Sequence, residues 1–385
     1  MSADDKDALP FEAALRSLES SIETLLEKEE TPALRERLAQ MQTQHEDLKR
    51  EFYETLSAWD TVELARHPKR PQTRDYIDLA FDDFEELHGD RAFRDDLAIV
   101  TGLGTLGPHR VLLVGEHKGR TVEERHVCHA GCPHPEGYRK ALRKMQLAEK
   151  FGLPVVTFID TKGAYPGPAG EERGQGPAIA ENLLAMSRLR VPVVCAILGE
   201  GGSGGALAIG VGDRILMLRH AYYSVISPEG CASILWRDGA KRAQAAAVLR
   251  LTSRDLREFG LIDEIVEEPL GGAHRDPAAT AQALREALIR NLDALVGRDA
   301  GTLVEGRYAK FRAFGRFEEE GRFLAEAGEA PETDGGTGTT PPADAARTPP
   351  AEPAGRETPE DEEDEEDAPN VVRLADSVVR SEASQ

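Results

Sequence analysis

The residues best placed to do chemistry are glycines. From Val193 the sequence runs Val-Val-Cys-Ala-Ile-Leu-Gly-Glu-Gly-Gly-Ser-Gly-Gly-Ala-Leu-Ala-Ile-Gly-Val-Gly212. The pattern predicts a buried strand ending at Leu198, a glycine-rich turn, and a helix beginning near Gly204. Gly199, Gly201 and Gly204 satisfy G-x-G-x-x-G, but the helix that follows is under ten residues before Asp213, and no acidic residue falls near the twentieth position after the loop. A dinucleotide site needs both. No Gly-Lys-Ser/Thr follows either, so a P-loop fails. An oxyanion hole fits better. Successive glycines at a helix start let a substrate approach backbone N–H groups, and the helix dipole favours developing negative charge, as on an enolate or a ureido oxygen. The competing reading is a tight strand-to-helix turn that needs glycines for packing alone.

A second glycine- and proline-rich loop follows another strand, from Phe158 through Thr161-Lys-Gly-Ala-Tyr-Pro-Gly167 to Pro177. Loops at strand C-termini of α/β folds are where sites assemble, so two of them predict a shared pocket. Arg125-His-Val-Cys-His-Ala-Gly-Cys-Pro-His134 gathers His126, Cys128, His129, Cys132 and His134. Four of these could surround zinc, but the spacing matches no standard zinc motif, and the segment reads as a surface loop without metal. Cys195 and Cys231 stand among apolar neighbours and read as packing thiols. No Ser/His/Asp or Cys/His set stands out.

These loops need strands to hold them. Continuous apolar runs at Leu97–Thr101, Val111–Glu116, Val155–Ile159, Val193–Leu198, Arg214–Leu218, Tyr223–Ile226 and Ile262–Val266 suit strands buried on both faces. Helical patterns lie between them at Tyr76–Leu87, Gly137–Phe151, Ala178–Arg188, Ala240–Leu251 and Ala278–Leu292. The expected architecture is one α/β domain, over 72–297. Before it, residues 1–71 read as a helical arm. Leu15, Leu18, Ile22 and Leu25 form one stripe, and Leu34, Leu38, Met41, His45, Leu48 and Phe52 form a heptad-like seam after a break capped by Thr31 and Pro32. Two such helices predict an antiparallel, coiled-coil-like hairpin, with His45 a tolerated polar position in its seam. Residues 298–330 read as a helical extension. Residues 331–385 hold 15 Asp/Glu against 4 Arg and eight prolines, with no aromatic residue, and read as a disordered acidic tail; Val371–Leu374 and Val378–Val379 are a weak docking-helix signal.

The whole chain has 385 residues, 69 acidic and 47 basic side chains, a net charge of −22 and four cysteines. That balance excludes bulk nucleic-acid binding through a basic face, and the cysteine count excludes a disulfide scaffold. No apolar run approaches the ~18 residues a membrane span needs, and the opening residues do not resemble a secretory leader. The expected location is the cytoplasm.

At the glycine loops the sequence resembles the carboxyltransferase alpha-subunit family of bacterial multi-subunit acetyl-CoA carboxylase. The resemblance runs from about the Leu34 helix to Phe314. It rests on Leu64-Ala-Arg-His-Pro68, Pro135-Glu-Gly-Tyr-Arg-Lys-Ala141, Gly163-Ala-Tyr-Pro-Gly167, Glu171-Glu-Arg-Gly-Gln175, the run Gly199–Asp213, Tyr223–Trp236 and Glu268-Pro-Leu-Gly-Gly-Ala-His274. It implies a crotonase-like (ClpP/crotonase) fold of repeated ββα units. It also implies transfer of a carboxyl group from carboxybiotin, carried on the biotin carboxyl carrier protein, to acetyl-CoA, giving malonyl-CoA for fatty-acid synthesis. The implied partners are a beta subunit bearing zinc, in an α2β2 assembly whose active site spans both subunits, together with the carrier protein and biotin carboxylase. In the route the resemblance implies, biotin freed of CO2 takes the acetyl proton, which agrees with the absence of a protein base. By the same resemblance the amides of Gly204 and Gly205 hold the ureido oxygen, Gly201 and Gly202 shape the turn, Tyr165, Pro166 and Gly167 wall the biotin pocket, and Glu171 and Arg173 orient that loop. Packing alone for Tyr165, and a local ion pair for Glu171 and Arg173, are the plainer alternatives.

Two departures stand out. Lys162 takes the place of a proline in the family's Asp-Thr-Pro-Gly-Ala-Tyr-Pro-Gly, which adds a cation beside the pocket, and the Cys/His segment replaces a run of other residues at the same length. They keep a non-catalytic paralogue that binds the beta subunit open as an alternative. Another crotonase-type acyl-CoA enzyme, such as a hydratase, is a second, but it needs carboxylates to handle water and the loop offers only Glu200.

Overall fold

The computed structural model describes residues 9–27, 31–315, 318–319 and 322–323. The proposed acidic tail lies outside the described residues; of the extension expected to be helical over 298–330, the helix ends at Arg312, and Glu318–Glu319 pairs antiparallel with Arg322–Phe323. The chain begins with α1 (Ala13–Leu26) and α2 (Pro32–Glu54). Thr31 accepts from the Leu34 amide and Pro32 occupies the first turn, as the sequence pattern predicts. Glu19 meets His45 at 3.0 Å and Glu12 meets Tyr53 at 2.6 Å, so α2 runs back along α1. His45 is therefore half-buried opposite a carboxylate instead of being a bare polar residue in an apolar seam.

Next come α3 (Ala58–Ala65), α4 (Thr73–Ala80), β1 (Asp83–Glu86), β2 (Ile99–Leu106), β3 (His109–Glu116), α5 (Val122–Val127), α6 (Pro135–Phe151) and β4 (Val155–Thr161). They are followed by α7 (Pro168–Glu172), α8 (Gln175–Arg188), β5 (Val193–Gly202), α9 (Ser203–Leu207), β6 (Arg214–Leu218), β7 (Tyr222–Ser224), α10 (Pro228–Trp236), α11 (Arg242–Leu249) and α12 (Ser253–Glu258). Last are β8 (Glu264–Val266), α13 (Pro277–Leu295) and α14 (Ala300–Arg312). One sheet has the order β1-β2-β3-β4-β5-β6-β8, with β7 pairing the end of β5. β1, β2 and β3 are antiparallel, and the remaining pairings are parallel. Every residue of β4 and β5 is buried, which explains their unbroken apolar sequence.

Several boundaries differ from the sequence expectation, among them β2, which runs on to Leu106 where Thr101 was expected to end it, and two bear on how the sheet is built. The helix expected over Tyr76–Leu87 ends at Ala80, and Asp83–Glu86 becomes a strand. Pairing with β2 overrides the local helical pattern: Phe84 lies opposite Gly104, and a Cβ on Gly102 would lie 2.3 Å from the Phe84 ring and one on Gly104 2.8 Å from the Phe81 ring. Secondly, β5 does not stop at Leu198. It continues through Gly199–Gly202 because Gly201 pairs with Thr161 on one side and Tyr223 on the other, and the helix starts at Ser203.

Two buried arginines fasten distant segments to this sheet. Arg307 of α14, 1% exposed, donates to both Asp213 oxygens (3.0 and 2.7 Å) and to the carbonyls of Met186, Leu189 and Val191 (2.6, 2.9 and 3.0 Å). Arg70, 3% exposed, makes a two-pronged pair with Glu268 (2.9 and 2.6 Å) and sends Nε and Nη2 to the Leu198 carbonyl (3.0 and 2.8 Å). The second of these holds β5 just before its glycines.

Candidate active site

The glycines do two different jobs. A Cβ on Gly202 would lie 2.2 Å from the Lys162 carbonyl oxygen, and one on Gly205 would lie 2.5 Å from both the Ala164 nitrogen and the Gly163 carbonyl carbon. These positions must be glycine so that the loop after β4 can lie against β5 and α9, backbone on backbone. Gly201 has the Tyr223 ring at 2.7 Å from its Cβ position. Gly204 differs: its nearest neighbour there is Ile179 Cδ1 at 4.0 Å. Packing therefore explains three of the four glycines and leaves Gly204 facing open space. α9 has only five residues, so most of its amides lie in a first turn without intrahelical acceptors. Just before them Ser203 sits at φ 53°, a strained setting for a serine.

The loop after β4 carries Tyr165, Pro166 and Gly167 beside this turn. The Tyr165 amide donates to the Pro133 carbonyl at 2.9 Å, and a Cβ on Gly167 would meet the Tyr165 ring at 2.6 Å. The Tyr165 ring stacks on His134 (3.9 Å between centroids, 19°), with His129 edge-on to both rings. Burial, with the neighbouring His129, lowers His134 to a pKa of about 4. The Cys/His segment thus contributes two rings that back Tyr165. Among the described residues no three His, Cys, Asp or Glu side chains gather as metal ligands. Cys128 is buried with its Sγ 3.4 Å from the Leu97 carbonyl, and His126 is exposed. Burial pushes the Cys195 thiol up to about 11, as suits a packing thiol.

Glu171 and Arg173 do not pair with each other in the described structure. Glu171 is exposed on α7, whereas Arg173 reaches the fully buried Glu136 through Nε and Nη2, both at 3.1 Å, and lies over the Phe93 ring. Arg173 consequently anchors the end of this loop to α6. The local ion pair offered as the plainer reading of Glu171 and Arg173 does not form among the described residues; Arg173 instead joins Arg94 and Arg139 around the buried Glu136.

Sequence reasoning missed an ionic cluster under the glycine turn. Glu200 accepts from Arg66 Nε (2.6 Å), Lys118 Nζ (2.7 Å) and Tyr222 Oη (2.7 Å). Lys118 also meets Asp160 at 2.6 Å, and Arg66 also meets Glu229 at 2.6 Å. The Glu200 amide donates to Asp160, whose own amide donates to buried Glu116. Its members come from α3, the segment after β3, β4, β5, β7 and α10, so no local spacing announces it. The one signal was Arg66 inside the Leu64–Pro68 word. Burial works against the Glu200 charge, but Lys118 and Arg66 outweigh it and hold the carboxyl at about 2, below its usual 4.5. Glu268, buried against Arg70, is likewise held at about 2. A depressed carboxylate contributes stability that is complete above the unfolded value and is lost as pH falls through the folded one. Denaturant midpoints should therefore stay level above pH ~5 and fall between pH ~4.5 and ~2, and Glu200→Gln should make that acid limb shallower. An equally steep limb in the variant would show that Glu200 is not among its causes.

The fold and site define an α/β protein with a backbone-lined turn at the ends of neighbouring parallel strands, supported by ion pairs. The sequence profile of the acetyl co-enzyme A carboxylase carboxyltransferase-like family matches residues 8–315, and the chain belongs to that family. It is 50% identical over 314 residues to a Hydrogenovibrio crunogenus protein, covering 81% of this chain and 98% of the relative. It is 55% identical over 271 residues to one from Rhodopirellula baltica, covering 70% and 85%. Both relatives are named acetyl-coenzyme A carboxylase carboxyl transferase subunit alpha. Among solved structures, transcarboxylase 12S aligns at TM-score 0.47 and 21% identity over 58% of this chain and 42% of that one. A Pseudomonas malonate decarboxylase hetero-dimer aligns at 0.47 and 15% over 56% and 88%. No helix among the described residues is long and apolar enough to cross a membrane.

Proposed function

We propose that this chain is the alpha subunit of an acetyl-CoA carboxylase carboxyltransferase, which with a beta subunit moves a carboxyl group from carboxybiotin to acetyl-CoA and yields malonyl-CoA. Support comes from relatives with that name at 50% and 55% identity. The observation that carries the mechanism is the open position within this turn: Gly204 faces space while Gly202 and Gly205 are locked against the Lys162–Ala164 backbone. That is the arrangement a flat, anionic group needs in order to reach backbone N–H donors. Carboxybiotin, when bound, supplies the carboxyl group and, once decarboxylated, the base.

This chain's residues then position and stabilise. The amides of Gly204 and Gly205 donate toward the ureido oxygen. Gly201 and Gly202 let β5 run to the turn, and Tyr165, backed by His134, walls the pocket with Pro166 and Gly167. Arg173 acts at a distance, by holding the loop that carries Tyr165. The same reading includes a crotonase-like arrangement of ββα units, a helical arm over 1–71, a catalytic domain over 72–297, an extension over 298–330 and an acidic tail over 331–385. It also includes the carrier protein, biotin carboxylase, an α2β2 assembly with zinc in the beta subunit, and a cytoplasmic setting. The test is malonyl-CoA decarboxylation with biocytin as acceptor, for this chain alone and with a bacterial beta subunit. Activity in the pair and none in the chain alone is expected. Turnover by the chain alone would overturn the two-subunit account, and an inactive pair that still co-purifies would favour a non-catalytic paralogue.

A further inference from the structure

A chamber of about 150 Å³ lies between α3, the segment after β3 and the loop after β4. Five cations line it, Arg66, Arg70, Lys118, Arg125 and Lys162, against two lining carboxylates, Asp160 and Glu200. Three of the cations are already engaged: Arg66 with Glu200 and Glu229, Arg70 with Glu268, and Lys118 with Asp160 and Glu200. The other two are not. Arg125 makes one weak bond, from Nε to the Gly119 carbonyl at 3.4 Å, and Lys162 has no carboxylate within ion-pair distance among the described residues. Lys162 also lines a second space of about 350 Å³, together with Gly202, Ser224 and Glu229. It therefore stands at the boundary between the chamber and the glycine turn.

We propose that this chamber binds a carboxylate-sized oxyanion, with Lys162 and Arg125 as its charged contacts. The inference rests on the carboxyltransferase reading and adds to it a place for the anionic group being handled. Its physical basis is charge and size. The chamber's two lining carboxylates are engaged by the paired cations, which leaves the exposed side chains of Lys162 and Arg125 at its mouth as cations without a carboxylate partner among the described residues. The volume suits a small oxyanion with a few waters, each water taking about 30 Å³, and falls below the roughly 300–1,000 Å³ of a pocket for a drug-sized ligand. Two sources supply this chemistry: the carboxylate borne by carboxybiotin, and free bicarbonate.

The two are separated by experiment on the full chain with its beta subunit. In the first arm, initial rates are measured with free carboxybiotin as donor for the wild type, Lys162→Gln, Lys162→Arg and Arg125→Gln. The expected result for a biotin-borne carboxylate is a KM for carboxybiotin raised about tenfold in both Gln variants, as for loss of one charge-assisted contact of ~1.4 kcal/mol. The KM for acetyl-CoA should stay unchanged, and Lys162→Arg should recover most of the loss. In the second arm, the thermal midpoint is compared in sodium bicarbonate and sodium chloride at equal ionic strength. A rise specific to bicarbonate that disappears in the Lys162→Gln/Arg125→Gln double variant assigns the chamber to free bicarbonate. A response in either arm supports the oxyanion site and names its source; no response in both overturns it. A wild-type pair that transfers no carboxyl group would count against the carboxyltransferase reading, and the bicarbonate arm would still decide the chamber.

Discussion

Gly204→Val is expected to fold at close to wild-type stability and to lose about 100- to 1000-fold in kcat with the beta subunit, the usual cost of one oxyanion donor. The fold should tolerate it because nothing lies within 4.0 Å of the Gly204 Cβ position except Ile179 Cδ1, and in a helical turn valine is no worse than glycine. Activity should fall because the new methyl groups occupy the space through which a substrate oxygen reaches the amides. Gly205→Ala makes the contrast. Its methyl group would press on the backbone of Gly163 and Ala164 at 2.5 Å, which cannot rotate away, so a loss of at least ~1–3 kcal/mol of stability is expected. Urea unfolding alongside carboxyl transfer separates the two. If Gly204→Val retained full activity, the open glycine would have no role in stabilising the oxyanion.

The second large effect is expected at Arg70. Arg70→Met removes four hydrogen bonds and leaves Glu268 buried without its counter-charge. Breaking a buried pair from one side costs about 3–5 kcal/mol. Glu268 also accepts from the amides of His220 and Ala273, at 2.9 and 2.8 Å, so those two turns should loosen as well. The double change Arg70→Met/Glu268→Leu should recover part of the loss, since a matched apolar pair carries no stranded charge. Hydrogen exchange offers an independent reading: the end of β5 should lose protection in the single variant, because Arg70 holds the Leu198 carbonyl. Two single variants whose costs simply add in the double would mean that the pair is not coupled.

The central strands β4 and β5 were legible because each is buried on both faces, and their apolar runs record that directly. β1 was not, since Asp83-Phe-Glu-Glu86 has a helical look and becomes a strand only through its pairing with β2. At the site, the glycine turn could be read as a place for oxyanion chemistry, but not which glycine faces outward; that depends on the Lys162–Ala164 backbone, some 40 residues earlier in the chain. The ionic cluster was invisible for the same reason. Arg66 and Glu229 are 163 residues apart, and nothing in either neighbourhood specifies the other. Arg173 shows the reverse case, where closeness in sequence to Glu171 suggested a partner that the fold replaces with Glu136.

The bond from Arg275 to Glu12 spans 263 residues, at 3.1 Å. Glu12 is buried, as are Leu9 and Leu15 beside it. At ~5–20 residues per second on the ribosome, about 13 to 50 s pass between the synthesis of Glu12 and that of its partner. Throughout that interval Glu12 has only its nearer partners, Arg16 and Tyr53, and the apolar cluster beside it lacks Leu270, which later packs there. The segment around Glu12 is thus made well before the last of its contacts, which closes only when Arg275 has been added.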